Sequence, residues 1–361
     1  MKIKQLKTKF LFISLVSLAV LLTSCGGGSA DKQAQGGSGK SLIGAGSTFT
    51  YPLYSKMFHV YHQANAVKVN YQSIGSGAGI KQLQNKTIDF GASDAPMSDE
   101  EMKKSPGAIV HIPTCLGAVV VTYHLPGNPV LKFTPEVLAG IFLGEITHWN
   151  DPKITALNPD AKLPSLPISV VHRSDGSGTT YIFADYLSKV SPQWTKGPGR
   201  GKSLNWPVGL GSKGNEGVSG LIKQTPGSIG YVEFAYAFQN KMPVASIKNK
   251  AGNFIAPSLT STSAAANVDH MPADLRVSIT NTDAPDGYPI SSFSYVLLYK
   301  NQSYDNRSEA QAKATVDLIA WMIQAGQQYS EPLQYGKLPE SVVKSALTIL
   351  KTVVYNNKPL L

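Results

Sequence analysis

Three short stretches of this chain place glycine and hydroxyl side chains immediately ahead of a helical apolar stripe. The first is Gly44-Ala45-Gly46-Ser47-Thr48-Phe49-Thr50-Tyr51-Pro52, after which Leu53, Tyr54, Met57, Phe58 and Tyr61 recur at helical spacing. Pro52 suits a first helical turn, where no amide hydrogen is needed. The second is Gly75-Ser76-Gly77-Ala78-Gly79, leading into Ile80 and Leu83. The third is Arg173-Ser174-Asp175-Gly176-Ser177-Gly178-Thr179-Thr180, leading into Phe183, Tyr186, Leu187 and Val190. A helix start offers N–H groups that have no partner within the helix, together with a partial positive charge. Glycine lets the backbone come close and Ser or Thr adds donors, so each stretch could cradle a tetrahedral oxyanion. One such loop means little, because glycine–serine helix caps are common. Three of them, one beside an arginine, favour a binding site. Arg173 can present a planar fork of donors to two oxygens of one anion, with Asp175 holding the fork in place. Taken alone, an exposed Arg–Asp pair would be the plainer reading.

Asp94, in Asp89-Phe90-Gly91-Ala92-Ser93-Asp94-Ala95-Pro96-Met97-Ser98, is the odd member of the set. An ionised carboxylate only accepts hydrogen bonds, so beside an anion it repels unless the ligand brings a proton. The competing role is an N-cap for the helix that Asp99-Glu100-Glu101-Met102 begins.

The elements that must position these residues alternate. Short apolar runs at Val67-Val69-Tyr71, Ile88-Phe90, Val119-Val120-Val121 and Ile168-Val170-Val171 are separated by helical patterns, which predicts an α/β fold. From Ser41 onward the chain has about 320 residues, more than one core usually organises, so two lobes are expected. Two long apolar strands, Ala118–Tyr123 and Phe293–Tyr299, would cross between them. Residues 41–117 and 287–361 then form one lobe and 118–286 the other, with a hinge and a cleft beside it. The Ser/Thr/Ala stretch Leu259–Ala266 reads as a surface loop.

Ahead of this, Lys2, Lys4, Lys7 and Lys9 precede an apolar run from Phe10 to Leu22, the pattern of a signal peptide over residues 1–24. The run is too short to span a bilayer as a helix. Residues 25–40 begin with a cysteine and continue as a Gly/Ser/Gln/Ala tether. Without the leader one cysteine remains, Cys115, expected as a buried small hydrophobe. Removing the four leader lysines from 33 basic residues leaves 29 against 23 acidic ones, a net charge near +6. These charges are scattered, without the basic clusters that mark nucleic-acid binding, and a modest positive field suits a small anion.

The strings Gly44-Ala45-Gly46-Ser47-Thr48-Phe49, Gly91-Ala92-Ser93-Asp94-Ala95-Pro96, Arg173-Ser174-Asp175-Gly176-Ser177-Gly178-Thr179 and Pro226-Gly227-Ser228-Ile229-Gly230-Tyr231-Val232-Glu233 resemble, in order and spacing, the phosphate-binding proteins of bacterial high-affinity ABC importers. The likeness runs from about Leu42 to Leu361. It implies a two-lobed type II periplasmic-binding-protein fold with two hinge-crossing segments, no catalysis and no cofactor. It also implies delivery of inorganic phosphate to membrane permease and ATPase subunits. By the same likeness the ligand would be held by Thr48, the backbone of Phe49, Ser76, Asp94, Arg173, Ser177, Gly178 and Thr179. Where the family's second loop commonly reads Gly-Ser-Ser-Gly-Gly, this chain has Gly77 after Ser76, and a contact from a hydroxyl at 77 is missing. Leu21-Leu22-Thr23-Ser24-Cys25 resembles the lipobox of bacterial lipoproteins, implying lipidation of Cys25 and an exported protein held at a periplasmic or cell-surface membrane face.

Three other readings compete. An enzyme is disfavoured because Asp175-Gly176-Ser177-Gly178 lacks the Gly-x-Ser-x-Gly spacing of a nucleophile elbow. The histidines at 59, 62, 111, 124, 148, 172 and 270 make no metal-binding motif either, and no phosphatase nucleophile or metal pair assembles. His172, beside Arg173, is the one histidine placed to join the site. A receptor for sulfate, molybdate or a phosphonate is the second alternative, with Asp94 as the discriminator, and a surface adhesion or structural lipoprotein is the third.

Overall fold

The computed structural model describes residues 41–267 and 271–361. The leader, Cys25, the tether and His270 lie outside the described residues. Among the described residues no helix is long and apolar enough to cross a membrane.

Eight strands build the main sheet: β1 (Ser41–Gly46), β2 (Lys68–Ser73), β3 (Phe90–Ser93), β4 (Ile109–Tyr123), β5 (Ser169–Arg173), β6 (Leu210–Ser212), β7 (Ser228–Glu233) and β8 (Ser291–Tyr299). Their spatial order is β2-β1-β3-β8-β4-β7-β5-β6. β1 runs parallel to β2 and β3, and β5 runs parallel to β6 and β7. β8 lies antiparallel between β3 and β4. β4 serves both halves of the sheet, pairing with β8 over Ile109–Ala118 and with β7 over Val119–Tyr123. The chain thus passes between halves twice, along β4 and again on entering β8, where the Val119 amide donates to Ile290 O at 2.8 Å.

Both crossing strands are longer than the apolar runs that announce them. In β4 the obstacle is Pro113, which has no N–H for the ladder. The ladder absorbs it with an irregularity: Ser294 faces Cys115, Tyr295 faces Pro113, and Thr114 is skipped. Thr114 Oγ1 instead donates to Ser294 O at 3.2 Å and meets the Tyr54 hydroxyl at 2.6 Å.

Helix α1 (Tyr51–Asn65) buries Leu53, Tyr54, Met57, Phe58 and Tyr61, the whole predicted stripe. Each such side chain contributes about 1.5–3 kcal/mol by leaving water. Helix α2 (Ser76–Gln84) buries Ile80 and Leu83, and α3 (Gly178–Val190) buries Phe183, Tyr186 and Leu187. Each half has an aromatic centre of its own. Tyr54, Phe58, Tyr71 and Phe90 pack together in the first. In the second, Phe183 stacks on Tyr231 with centroids 4.4 Å apart, beside Phe142 and Trp206. Cys115 is free and fully buried, and burial pushes its thiol well above the ordinary range.

The expected surface loop at Leu259–Ala266 is a correction. Leu259–Ala264 is a short helix started by a capping box, in which Ser258 and Ser261 bond each other's backbone amides, and Ser261 and Thr262 are buried. The serine content that suggests a loop supplies the cap.

Candidate functional site

The proposed contacts gather beyond the C-terminal ends of five strands, the edge at which α/β sheets bind ligands. β1 leads into Ser47–Thr50, β2 into Gly75-Ser76, β3 into Asp94, β5 ends at Arg173, and β6 leads into α4 (Gly214–Gln224). Thr48, Ser76, Asp94, Arg173, Ser177 and Thr179 are each at most 3% exposed, and Phe49 is fully buried. Gly46 turns β1 toward α1 at φ +137°, and a Cβ there would stand 2.1 Å from Ala92 O, so only glycine fits.

Asp94 is not the N-cap of the following helix; Ser98 fills that role in a capping box with Glu101. Its carboxylate accepts instead from the hydroxyls of Ser47, Ser294 (3.0 Å) and Ser76 (3.3 Å). Burial raises the carboxyl to about 6, and the three hydroxyls and the Arg173 charge limit the rise. Facing it from the second half is the start of α3. A Cβ on Gly178 would lie 2.6 Å from Asp94 Oδ2 and 2.5 Å from Ser76 Oγ, so the two halves touch at this point. Ser177 Oγ takes the Thr180 amide at 3.0 Å, while helix geometry leaves the Gly178 and Thr179 amides without an intrahelical acceptor.

The missing hydroxyl at 77 coincides with a backbone contact between halves. The Gly77 amide donates to Gly176 O at 2.9 Å, and a Cβ on Gly77 would lie 3.1 Å from Gly176 Cα.

Arg173 engages Asp175 through Nε (2.8 Å) and Nη2 (2.6 Å). That edge of the guanidinium is occupied. The Nη1–Nη2 edge remains to face an anion, with Nη1 3.4 Å from Thr179 Oγ1. Burial alone would raise the Asp175 carboxyl, but the Arg173 hydrogen bonds and charge, with the Gly214 amide at 3.1 Å, hold it below its ordinary value. His172 stays out of the cluster: its ring stacks on Trp206 with centroids 4.7 Å apart, and burial lowers its pKa.

Several participants escape the sequence reading. Asn215, fully buried at the start of α4, donates through Nδ2 to Thr48 Oγ1 (2.8 Å) and Thr179 Oγ1 (3.2 Å), joining the two halves. Its signal is present, because Gly211-Ser212-Lys213-Gly214-Asn215 repeats the strand-to-helix pattern of the other loops. Ser47 lies inside the Gly44–Phe49 motif, one residue before Thr48. Ser294 has no local signal, being 200 positions from the carboxylate it meets. At the rim, Lys202 Nζ reaches Glu101 of the first half at 2.7 Å while its carbonyl accepts from the Ser177 amide at 2.8 Å. Among the described residues no cluster of three or more His, Cys, Asp or Glu could hold a metal ion. The arrangement sets many donors around the buried carboxylate of Asp94, which suits an anion that keeps a proton.

Comparison with known proteins agrees with this chemistry. A PBP superfamily domain model matches residues 31–325. The phosphate-binding protein PstS of Xylella fastidiosa is 45% identical over 309 residues, 84% of this chain and 83% of that one. The phosphate-binding protein PstS of Pasteurella multocida is 44% identical over 319 residues, 87% of this chain and 91% of that one. Among solved structures, the phosphate binding protein of Stenotrophomonas maltophilia superposes with a TM-score of 0.67 at 17% identity, covering 86% of this chain and 93% of that one.

Proposed function

This chain belongs to the phosphate-binding proteins of the PBP superfamily, and from that premise we propose that it captures inorganic phosphate between two lobes and delivers it to an ABC-type importer. The lobes would be residues 41–117 with 287–361, and residues 118–286. The carrying observation is the meeting of Asp94 from the first half with the Gly178 end of α3 from the second, beside Arg173. The amides of Thr48, Phe49, Gly178 and Thr179, the hydroxyls of Thr48, Ser76, Ser177 and Thr179, and the free edge of Arg173 would hold the phosphate oxygens. Asp94 would accept the hydrogen bond of the ligand's remaining P–OH. The role is binding and transfer, not catalysis. Calorimetric titration with phosphate, sulfate, molybdate and a phosphonate tests this. Saturable binding of phosphate well ahead of the others is expected, and preference for another anion, or for none, would overturn it.

The site would work at a membrane face, with Cys25 lipidated and residues 26–40 as tether. One acyl chain holds only marginally, so a lipoprotein needs two or three. Cys25→Ser should release the protein into the soluble fraction or stall its processing. Unmodified Cys25 by mass spectrometry in membrane-retained wild-type protein would refute the anchor.

A further inference from the structure

Three consecutive carbonyls ahead of α1 are each met by a tyrosine hydroxyl. Tyr71 donates to Ser47 O at 2.8 Å, Tyr236 to Thr48 O at 2.7 Å, and Tyr335 to Phe49 O at 2.6 Å. These tyrosines come from β2, from the helix Phe234–Gln239, and from the segment after the short helix Glu331–Leu333. Burial pushes all three phenols above the ordinary range, so each remains a donor.

In a trans peptide the C=O and the N–H lie on opposite sides. Fixing the carbonyls of Ser47 and Thr48 on the tyrosines therefore turns the amides of Thr48 and Phe49 away from them. The third peptide differs, because its amide, that of Thr50, is already taken by Ser47 Oγ at 3.1 Å. The two amides left by this count are the backbone donors assigned to the ligand.

We propose that Tyr236 is a positioning residue for phosphate, which aims and strengthens the Phe49 amide as the halves come together. The inference rests on the phosphate reading of the cleft. Tyr71 belongs to the first half, as Thr48 does, and holds the loop whether or not the halves meet. Tyr236 follows β7 in the second half, so its bond to Thr48 O forms only on closure. Its hydroxyl also lies 3.0 Å from Glu216 Oε1 of its own half, so its single proton can turn to that carboxylate when the halves part. The hydroxyl is satisfied in either state, whereas the Thr48 carbonyl gains a donor on closing. A hydrogen bond accepted at a carbonyl polarises the N–H of the same peptide. The Phe49 amide thus becomes a better anion donor in the closed state than in the open one. Asn215 reinforces the coupling by donating to the Thr48 hydroxyl from the same half as Tyr236.

Loss of the Tyr236 hydroxyl should accordingly be felt mainly in binding, with only its bond to Glu216 given up without phosphate, whereas loss of the Tyr335 hydroxyl should be felt in both binding and folding. The test compares wild type, Tyr236→Phe and Tyr335→Phe by phosphate titration, stopped-flow release and thermal denaturation without phosphate. Tyr236→Phe is expected to weaken phosphate about five- to tenfold, mainly through faster release, with a smaller loss of phosphate-free stability than Tyr335→Phe, because only the bond to Glu216 is given up in the open state. Tyr335→Phe should lower the phosphate-free melting temperature as well. Wild-type affinity and release in Tyr236→Phe would overturn the proposal. A loss of phosphate-free stability as large as that of Tyr335→Phe would reduce the bond to a structural one and overturn it too. If wild-type protein itself ignores phosphate, the functional reading fails and the inference falls with it, a result distinct from an unaffected variant.

Discussion

Asp94 is the residue on which selectivity should turn. Phosphate at neutral pH keeps a proton to donate and sulfate keeps none, so sulfate would leave a buried carboxylate facing an oxygen with nothing between them. A site built to bond a ligand OH rejects the analogue lacking it by roughly 10⁴–10⁵. Asp94→Asn supplies N–H donors and removes the charge, so sulfate affinity should rise by at least about a hundredfold while phosphate weakens far less. Paired titrations at one ionic strength decide it, and equal sulfate exclusion by the variant would assign selectivity elsewhere. The same carboxyl titrates near 6 when buried. As pH falls toward that value sulfate affinity should rise about tenfold per pH unit, and it should level off below it, where the carboxyl is already a donor. Stability follows the raised pKa: the folded protein holds this proton more tightly than the unfolded chain. The contribution favouring folding is present at about pH 4 and lost as pH rises through about 6. Denaturant titrations of ligand-free wild type and Asp94→Asn should show a steeper slope in the wild type, the remainder belonging to other buried carboxyls such as Glu233, which burial also raises.

At the scale of elements, what was legible was whatever is local. The three glycine–hydroxyl loops and the stripes on α1, α2 and α3 repeat every few residues, and burial enforces the same period. What was not legible depends on partners distant in sequence. Pro113 hides the first half of β4 because the irregularity that accommodates it is set by β8, and Ser294 reaches Asp94 only because that pairing exists. Asn215 sits in a locally visible strand-to-helix pattern, but its bonds to Thr48 and Thr179 join it to residues 167 and 36 positions away. The serines of Ser258–Ser261 belong to both loops and caps, and only packing distinguishes the two. β4 also shapes the site from below. A Cβ on Gly117 would stand 2.3 Å from Phe49 Cε1, inside a fully buried ring. Gly117→Ala should therefore cost about 1–3 kcal/mol by overpacking, measured by chemical denaturation. It should also weaken phosphate, because the displaced ring belongs to Phe49, whose amide is proposed to face the ligand. Unchanged affinity would mean that the ring relaxes without moving the loop.

On the scale of the whole molecule, the two halves are built differently in time although both are α/β. The second half takes its remaining strands of the main sheet, β5, β6 and β7, from one unbroken stretch of chain. In the first half β3 is separated from β4 by β8, which begins only at Ser291. A chain emerging from its N-terminus therefore carries β1, β2 and β3 for most of its length without the strand that must lie between β3 and β4. The open flank of β3 is an unpaired strand edge, the kind of surface that recruits foreign strands. Closing a loop of this length costs entropy before its contacts repay it, so the insertion of β8 should come late. Pulse-labelled hydrogen exchange during refolding should protect Val170, Val171 and Val232 before Ala92 and Val296. The reverse order would show that the first half nucleates without its central strand. The cross-over that supplies Ser294 to Asp94 ties the proposed anion site to the last fifth of the chain: a protein halted short of Ser291 lacks both the strand and the hydroxyl, and is expected to hold phosphate more weakly than the finished one.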